Sequence, residues 1–421
     1  MKPRFLNTDT GSSTAKKRLL LVCLLALAAP GATAAAPCWS DAELGAKLLE
    51  TKDRLGVSLL FDFEGYYVDQ RPGGLLMHER SFLAPRLSLF LDKTLGDHFY
   101  VFLQARADTG FDPGYANHEA RLDEYLLRWT PWTDGRLNLQ AGKFATVVGN
   151  WVHRHDSWNN PFVTAPLAYE NMTIVTDAFA PGSPAAFLAR KNVREAPSQK
   201  GRWLPVLWGP AYTTGASIFG SLERFDYAFE FKNASISSRP PYWGIEELDW
   251  DNPTWSLRMG HRPTAAWNYG VSASYGTYLL PPAQATLPAG RGLEDYHQVT
   301  LGWDLSYAKR KWQLWGEAFW SRFQVPNVGN ADTFTYYLEA KYKITARAFA
   351  AARWNQQLFG SVPDGLGGEQ RWGHNIFRVD GSLGYRFSRH LQGKVQYSFS
   401  HQAAAWQKGE QLVAGQATLK F

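Results

Sequence analysis

The densest collection of groups that could do chemistry in this 421-residue chain is His153-Arg154-His155-Asp156, followed by Trp158-Asn159-Asn160-Pro161. Two imidazoles at i and i+2 beside a carboxylate carry the donor types of a metal site. Such a site needs further ligands at matching spacing, and no second cluster supplies them. The segment therefore reads as a hydrogen-bonded loop anchor, and neither a metal nor any other cofactor is expected. A second group, Arg190, Lys191, Arg194, Lys200 and Arg202, faces only Glu195 within the same stretch. Lining an aqueous passage, it would favour anions. Glu246, Glu247, Asp249 and Asp251 read as a solvated acidic loop rather than a calcium site. No Gly-x-Ser-x-Gly, His-Glu-x-x-His, phosphate-loop or dinucleotide pattern occurs. The expectation is that the chain is not an enzyme, although a Ser/His site on a rigid wall would need no local motif.

What must position these groups is set by composition. Aromatic residues make up 15% of the chain and charged residues only 19%, and mean hydropathy is −0.33. Disorder is excluded by the aromatics, and a bundle of membrane helices by the lack of apolar runs of about 20 residues. The one apolar run, Leu19–Ala29, follows Lys2, Arg4, Lys16, Lys17 and Arg18 and precedes Ala32-Thr33-Ala34. That order of basic, apolar and small residues predicts a signal peptide over 1–36. With the leader go five basic residues and one acid, so the formal charge of +6 falls to +2. Nucleic acid is thereby dismissed as a partner. Cys23 leaves too, and Cys38 alone cannot form an internal disulfide.

Ser40-Asp41-Ala42-Glu43 resembles a capping box, predicting a short periplasmic helix within 37–55. From 56 to 421 the pattern alternates with period two. In Val299–Tyr307 every odd position is large and apolar and every even one small or polar. Phe377–Phe387 repeats this, broken only at Gly381. Segments of 8–11 residues with one aromatic-rich and one charged face suit tilted transmembrane strands around a wet lumen. Short connections centre on 93–96, 131–135, 221–224, 263–266, 309–311, 344–347 and 388–390. Between them lie long ones at 67–79, 109–119, 149–210, 233–253, 280–295, 324–331, 358–375 and 402–410. The alternation predicts an all-β, closed antiparallel barrel of about sixteen strands, with short periplasmic turns and long outer loops.

Two segments carry a resemblance. The last strand ends Ala417-Thr418-Leu419-Lys420-Phe421 and resembles the terminal signal, with Phe421, read by the barrel assembly machinery. Leu137-Asn138-Leu139-Gln140-Ala141-Gly142-Lys143-Phe144 resembles the strand before the constriction loop of Gram-negative porins. The resemblance implies that the third long loop, 149–210, folds into the lumen, and that His153, Arg154, His155, Asp156, Arg190, Lys191 and Arg194 form the constriction. It implies a cell outer membrane location amid lipid and lipopolysaccharide, and a homotrimer, which no residue pattern shows. On the lumen wall the alternation places Arg86, Arg106, Arg128, Arg353, Arg378, Asp108, Glu317 and Asp380 among near-balanced charges. The acidic loop motif of general porins and the lysine ladder of phosphate-selective ones are missing. The function expected is passive diffusion of small hydrophilic solutes or ions, with a mild anion preference. The alternatives are polysaccharide export or sugar-specific uptake, with Trp151, Trp158, Trp203 and Trp208 stacking on sugars, and, further off, a hydrolase.

Overall fold

The computed structural model describes residues 56–69, 81–108, 119–193, 202–245, 250–404 and 409–421. The expected leader, the helix within 37–55, Cys38 and Arg194 lie outside the described residues.

Chain order gives β1 (Val57–Val68), β2 (Ser81–Leu95), β3 (Phe99–Asp108), β4 (Glu119–Trp129), β5 (Asn138–Phe144), β6 (Thr213–Leu222), β7 (Phe225–Lys232), β8 (Thr254–Thr264) and β9 (Trp267–Thr277). There follow β10 (His297–Lys309), β11 (Trp312–Val325), β12 (Gly329–Lys343), β13 (Ala348–Phe359), β14 (Ser361–Pro363), β15 (Glu369–Arg371), β16 (Ile376–Arg386), β17 (Leu391–Gln402) and β18 (Glu410–Lys420). All but β14 and β15 pair with their neighbours, antiparallel, in one closed barrel of sixteen strands. β14 and β15 form a separate small hairpin within the connection from β13 to β16. The seam is β1 against β18, Leu60 opposite Lys420 and Val68 opposite Leu412. Below that ladder Leu59 and Phe421 exchange both backbone bonds at 2.9 Å, and the Phe421 ring stacks on His390.

The alternation is inverted relative to a water-soluble sandwich. On β10, Trp303 is 47% exposed on the outside while its neighbour Asp304, facing inward, is 4% exposed. Leu301 and Leu305 repeat the outward pattern and Thr300 the inward one. A closed ladder leaves no unpaired backbone, which is what an apolar surrounding demands. Trp267 packs on Tyr307 and Trp312 on Tyr342 near the short-turn rim, and Trp250 on Phe231 near the other. Aromatic side chains near both rims suit two interfacial girdles.

All seven short turns lie where the alternation places them. The sixth long connection is the exception. It is the turn Pro326-Asn327-Val328, with Asn327 at φ +61°, because the alternation of β11 and β12 runs unbroken through what reads as loop in the sequence.

Candidate functional site: the loop-filled lumen

The third long connection joins β5 to β6, and its described residues, 145–193 and 202–212, cross the barrel interior. Two short helices lie along it, α1 (Leu167–Glu170) and α2 (Pro184–Ala189). Far-side wall residues hold its backbone. Lys394 on β17 donates to the carbonyls of Ser157, Asn160 and Phe162 at 2.8, 2.9 and 3.2 Å. The Gln396 side-chain oxygen accepts from the Val163 and Thr164 amides at 2.6 and 3.1 Å. Loops carry backbone groups that cannot stay unpaired once buried, and long polar wall side chains here replace water.

Charged side chains reinforce this docking. Glu317 on β11 accepts from the Trp151 amide and the Tyr169 hydroxyl, each at 2.6 Å, and from the Asn150 amide. Gly149 makes that approach achievable: its φ is +86°, and a Cβ there would stand 2.2 Å from the Tyr169 hydroxyl. Arg154 donates to Glu339 at 2.6 Å and to the Tyr337 hydroxyl at 3.1 Å, stacked over Trp315. Arg353 bonds Asp380 at 2.8 Å and reaches the Thr164 carbonyl and hydroxyl at 3.1 and 3.0 Å, over the Phe162 ring. Beside it Arg378 pairs with Glu170 and Asp380.

Towards the outer rim the same connection joins an apolar cluster. Val175, Phe187, Leu204 and Trp208 pack with Trp243, Tyr278, Phe323 and Trp372 from neighbouring loops and strands. Asp177 is buried here, and burial pushes its carboxyl up to about 6 although Arg239 donates to it at 2.9 Å.

The wall of β1–β4 holds less of the loop, Glu124 accepting from the Ala145 amide at 2.8 Å. Its charges pair along the wall: Arg86 with Asp62 and Glu64, Arg106 with Asp123, and Arg121 with Asp108 and Asp123. Between this wall and the loop lies a cavity of about 470 Å³. Asp62, Arg86, Ser88, Arg106 and Glu124 line one side, and His153, His155, Asp156 and Glu170 the other. A second cavity, about 480 Å³, is lined by Arg128, Glu124, Asp226 and Arg258, and a third, about 420 Å³, by Lys341, Lys343, Arg347 and Arg386. His153 lines all three.

No family model matches the chain, and no curated protein matches it. Solved structures do. The outer membrane channel DcaP of Acinetobacter baumannii superposes with a TM-score of 0.53 at 9% identity, over 87% of this chain and 96% of that one. An anion-selective porin from Comamonas acidovorans gives 0.51 at 9%, over 87% and 98%. The trimer form of OmpT, an outer membrane protein of Vibrio cholerae, gives 0.51 at 9%, over 87% and 98%. The fold is that of a porin-type outer-membrane barrel.

Within this porin-type barrel the sequence candidates separate. His153 is exposed to the cavities, whereas His155 is tied at both ring nitrogens, donating to the Val152 carbonyl and accepting from the Tyr212 hydroxyl, both at 2.5 Å. Burial, with Arg106 close by, pushes its imidazole down to about 4, so it stays neutral at pH 7. Asp156 accepts from the Trp158 and Asn159 amides at 2.9 Å and closes a turn. Arg154 is an anchor. Arg190 and Lys191 line none of the three cavities. Arg190 lies over Phe179 and Trp203, and Lys191 donates to the Arg371 carbonyl on the β14–β15 hairpin, at 2.5 Å. Apolar packing of Phe187 on Trp372 brings α2 to that hairpin and carries both cations with it. Arg86, Arg106, Arg128, Arg353, Arg378, Asp108, Glu317 and Asp380 all face inward. Trp151, Trp158, Trp203 and Trp208 are buried in the loop, Trp151 at the wall of the 470 Å³ cavity.

Arg121, Asp123 and Glu170 escape the sequence reading. The ladder between β3 and β4 shifts register between Gln104 and Ala105, so Gln104 pairs with Glu124 and Ala105 with Leu122. The bulge turns the adjacent acids Asp123 and Glu124 both inward, which strict alternation forbids. Glu170 sits in a loop, where no periodicity marks the inward side.

Proposed function

We propose that the chain is an outer-membrane channel through which small hydrophilic solutes and ions diffuse passively, and that it is not an enzyme. The observation that carries this is the third connection held against β7–β17 while a polar cavity stays open beside β1–β4. Asp62, Asp92, Glu124, Asp156 and Glu170 line that cavity with Arg86, Arg106 and Lys420. Mixed charge of this kind orders water and disfavours apolar solutes without selecting strongly for either ion sign. The 150–160 segment narrows the passage, and Arg190 and Lys191 brace its outer limb. Liposome swelling tests the reading: small sugars and amino acids should enter vesicles carrying the purified protein, and larger oligosaccharides should not. Equal exclusion of all of them would refute it, and ester hydrolysis by the pure protein would favour an enzyme.

We also infer a homotrimer. Ala105, Ala107, Ala120, Ala141 and Ala216 give β3–β6 an outer patch of small side chains, interrupted by Tyr125 opposite Lys143. Lys143 points outward beside it, donating to the Leu122 carbonyl at 2.8 Å. A lysine on a lipid-facing surface is costly, and a neighbouring subunit would cover it. Crosslinking in native membranes should give trimers. Phe421, closing the seam, is taken as the assembly signal, and deleting it should lower the folded fraction recovered from membranes.

A further inference from the structure

The third cavity differs from the other two in carrying charge of one sign. Its charged lining is Lys341, Lys343, Arg347 and Arg386 together with Arg154, and no carboxylate lines it. Glu339 precedes Lys341 and Lys343 on the inward row of β12, but Arg154 holds one of its oxygens at 2.6 Å and Arg353 stands 3.6 Å from the other. Among the described residues, none of Lys341, Lys343, Arg347 and Arg386 has an ion-pair partner. Their ring and hydrogen-bond contacts are with neutral groups. Lys341 lies over the Phe349 ring at 4.3 Å, and Arg386 lies over Trp158 and donates to the Gln392 side-chain oxygen at 3.1 Å.

The fold gathers these cations. Lys341 and Lys343 lie two residues apart on β12, Arg347 is in the following turn, and Arg386 ends β16, its amide donating to the Arg347 carbonyl at 2.8 Å. Phe349 packs over Gly384, where a Cβ would stand 2.1 Å from its ring. That contact keeps the base of the cavity tight. Gln313, Asn150 and Asn159 add neutral side-chain amides to the lining. Like charges gathered in a recess with low-dielectric walls repel one another and focus potential on the space between them. An oxyanion is the partner this space lacks, since it accepts charge-assisted bonds from several donors at once.

We propose that this cavity, at the short-turn mouth, is a binding site for a small multivalent oxyanion of the phosphate type. It rests on the channel reading only for its place on a solute's exit path; binding itself needs no conduction.

Equilibrium dialysis of the detergent-solubilised full chain against labelled inorganic phosphate at low ionic strength tests it. Saturable binding of one phosphate per chain is expected, lost as potassium chloride is raised. Lys343→Gln combined with Arg347→Gln should weaken binding at least tenfold. Both side chains are exposed at the rim, so the barrel should fold, and unchanged heat-modifiable gel mobility would verify that. Lys191→Gln, in the third connection beside the outer hairpin, should bind as the parent does. Uptake that never saturates, or a double variant that binds like the parent, would overturn the site. Current in potassium chloride is read separately. A conducting protein that binds no phosphate retires this site alone, and one that binds phosphate but passes no current retires the channel reading alone.

Discussion

Arg353 and Arg86 both stand on the inner wall, each beside two carboxylates, Asp380 and Glu339 for the first and Asp62 and Glu64 for the second. Their surroundings differ. The Arg353 side chain is 0% exposed, because Thr164 and Phe162 of the crossing loop cover it, whereas Arg86 is 19% exposed and borders the cavity. On the β11–β17 side, charged residues replace water for a buried loop. On the β1–β4 side most of them pair with one another along the wall and border the cavity. One residue type thus holds a plug on one wall and borders a polar cavity on the other, and what decides is how much loop backbone is within reach.

The largest effect should come from breaking a rivet. Arg353→Ala leaves Asp380 and Glu339 with less compensation in a buried site, and losing one partner of such a pair costs about 3–5 kcal/mol. The loop should loosen, seen as a lower thermal midpoint by circular dichroism and larger, noisier single-channel current. A quiet parent-like channel would mean that the loop is held mainly by its apolar cluster.

Breaking the other wall should show chiefly in selectivity, with a smaller loss of stability because Asp62, Glu64 and Asp123 lose their partners beside the cavity. Arg86→Gln with Arg106→Gln removes two of the three cations lining the 470 Å³ cavity and leaves its acids. The cation-to-anion permeability ratio should rise a few-fold at low salt and less at high salt, where screening is strong. An unchanged reversal potential would place the ion path elsewhere.

The smallest effect concerns His155, in the loop segment between the two walls. His155, at about 4 in the folded chain, lies below the ordinary value of 6.5, so the unfolded chain binds the extra proton first. Stability from this group is complete above about pH 6.5 and is lost as pH falls towards 4. Asp177, raised to about 6, contributes in the opposite sense below that pH, so the informative quantity is a difference. His155→Asn should flatten the acid-side fall in thermal midpoint relative to the parent. Identical profiles would show that the imidazole is not a docking element.

Much of this contrast is legible in the sequence. Alternation locates the strands because the barrel's outward face must be apolar at every second position, and it sorts Arg86 and Arg353 to the inner wall. It cannot say which of them will meet the loop, since that depends on where residues 145–212 travel after leaving a strand. The bulge at Asp123 hides one lumen acid and its partner Arg121 by shifting parity within one strand. Arg190 and Lys191 read as a constriction because charge density is visible in sequence, while the packing of Phe187 on Trp372 that draws them to the outer hairpin is not.

Thiol accessibility during single-channel recording tests the central asymmetry most directly. In a Cys38→Ser background, cysteine is placed at Ser88, which borders the cavity, or at Ser382, whose hydroxyl donates to the Pro161 carbonyl at 2.7 Å beneath the loop. A charged methanethiosulfonate reagent should step the current down for Ser88→Cys and leave Ser382→Cys unaffected. Absence of any channel current in the background protein, or block at position 382 and not at 88, would contradict a solute path along β1–β4.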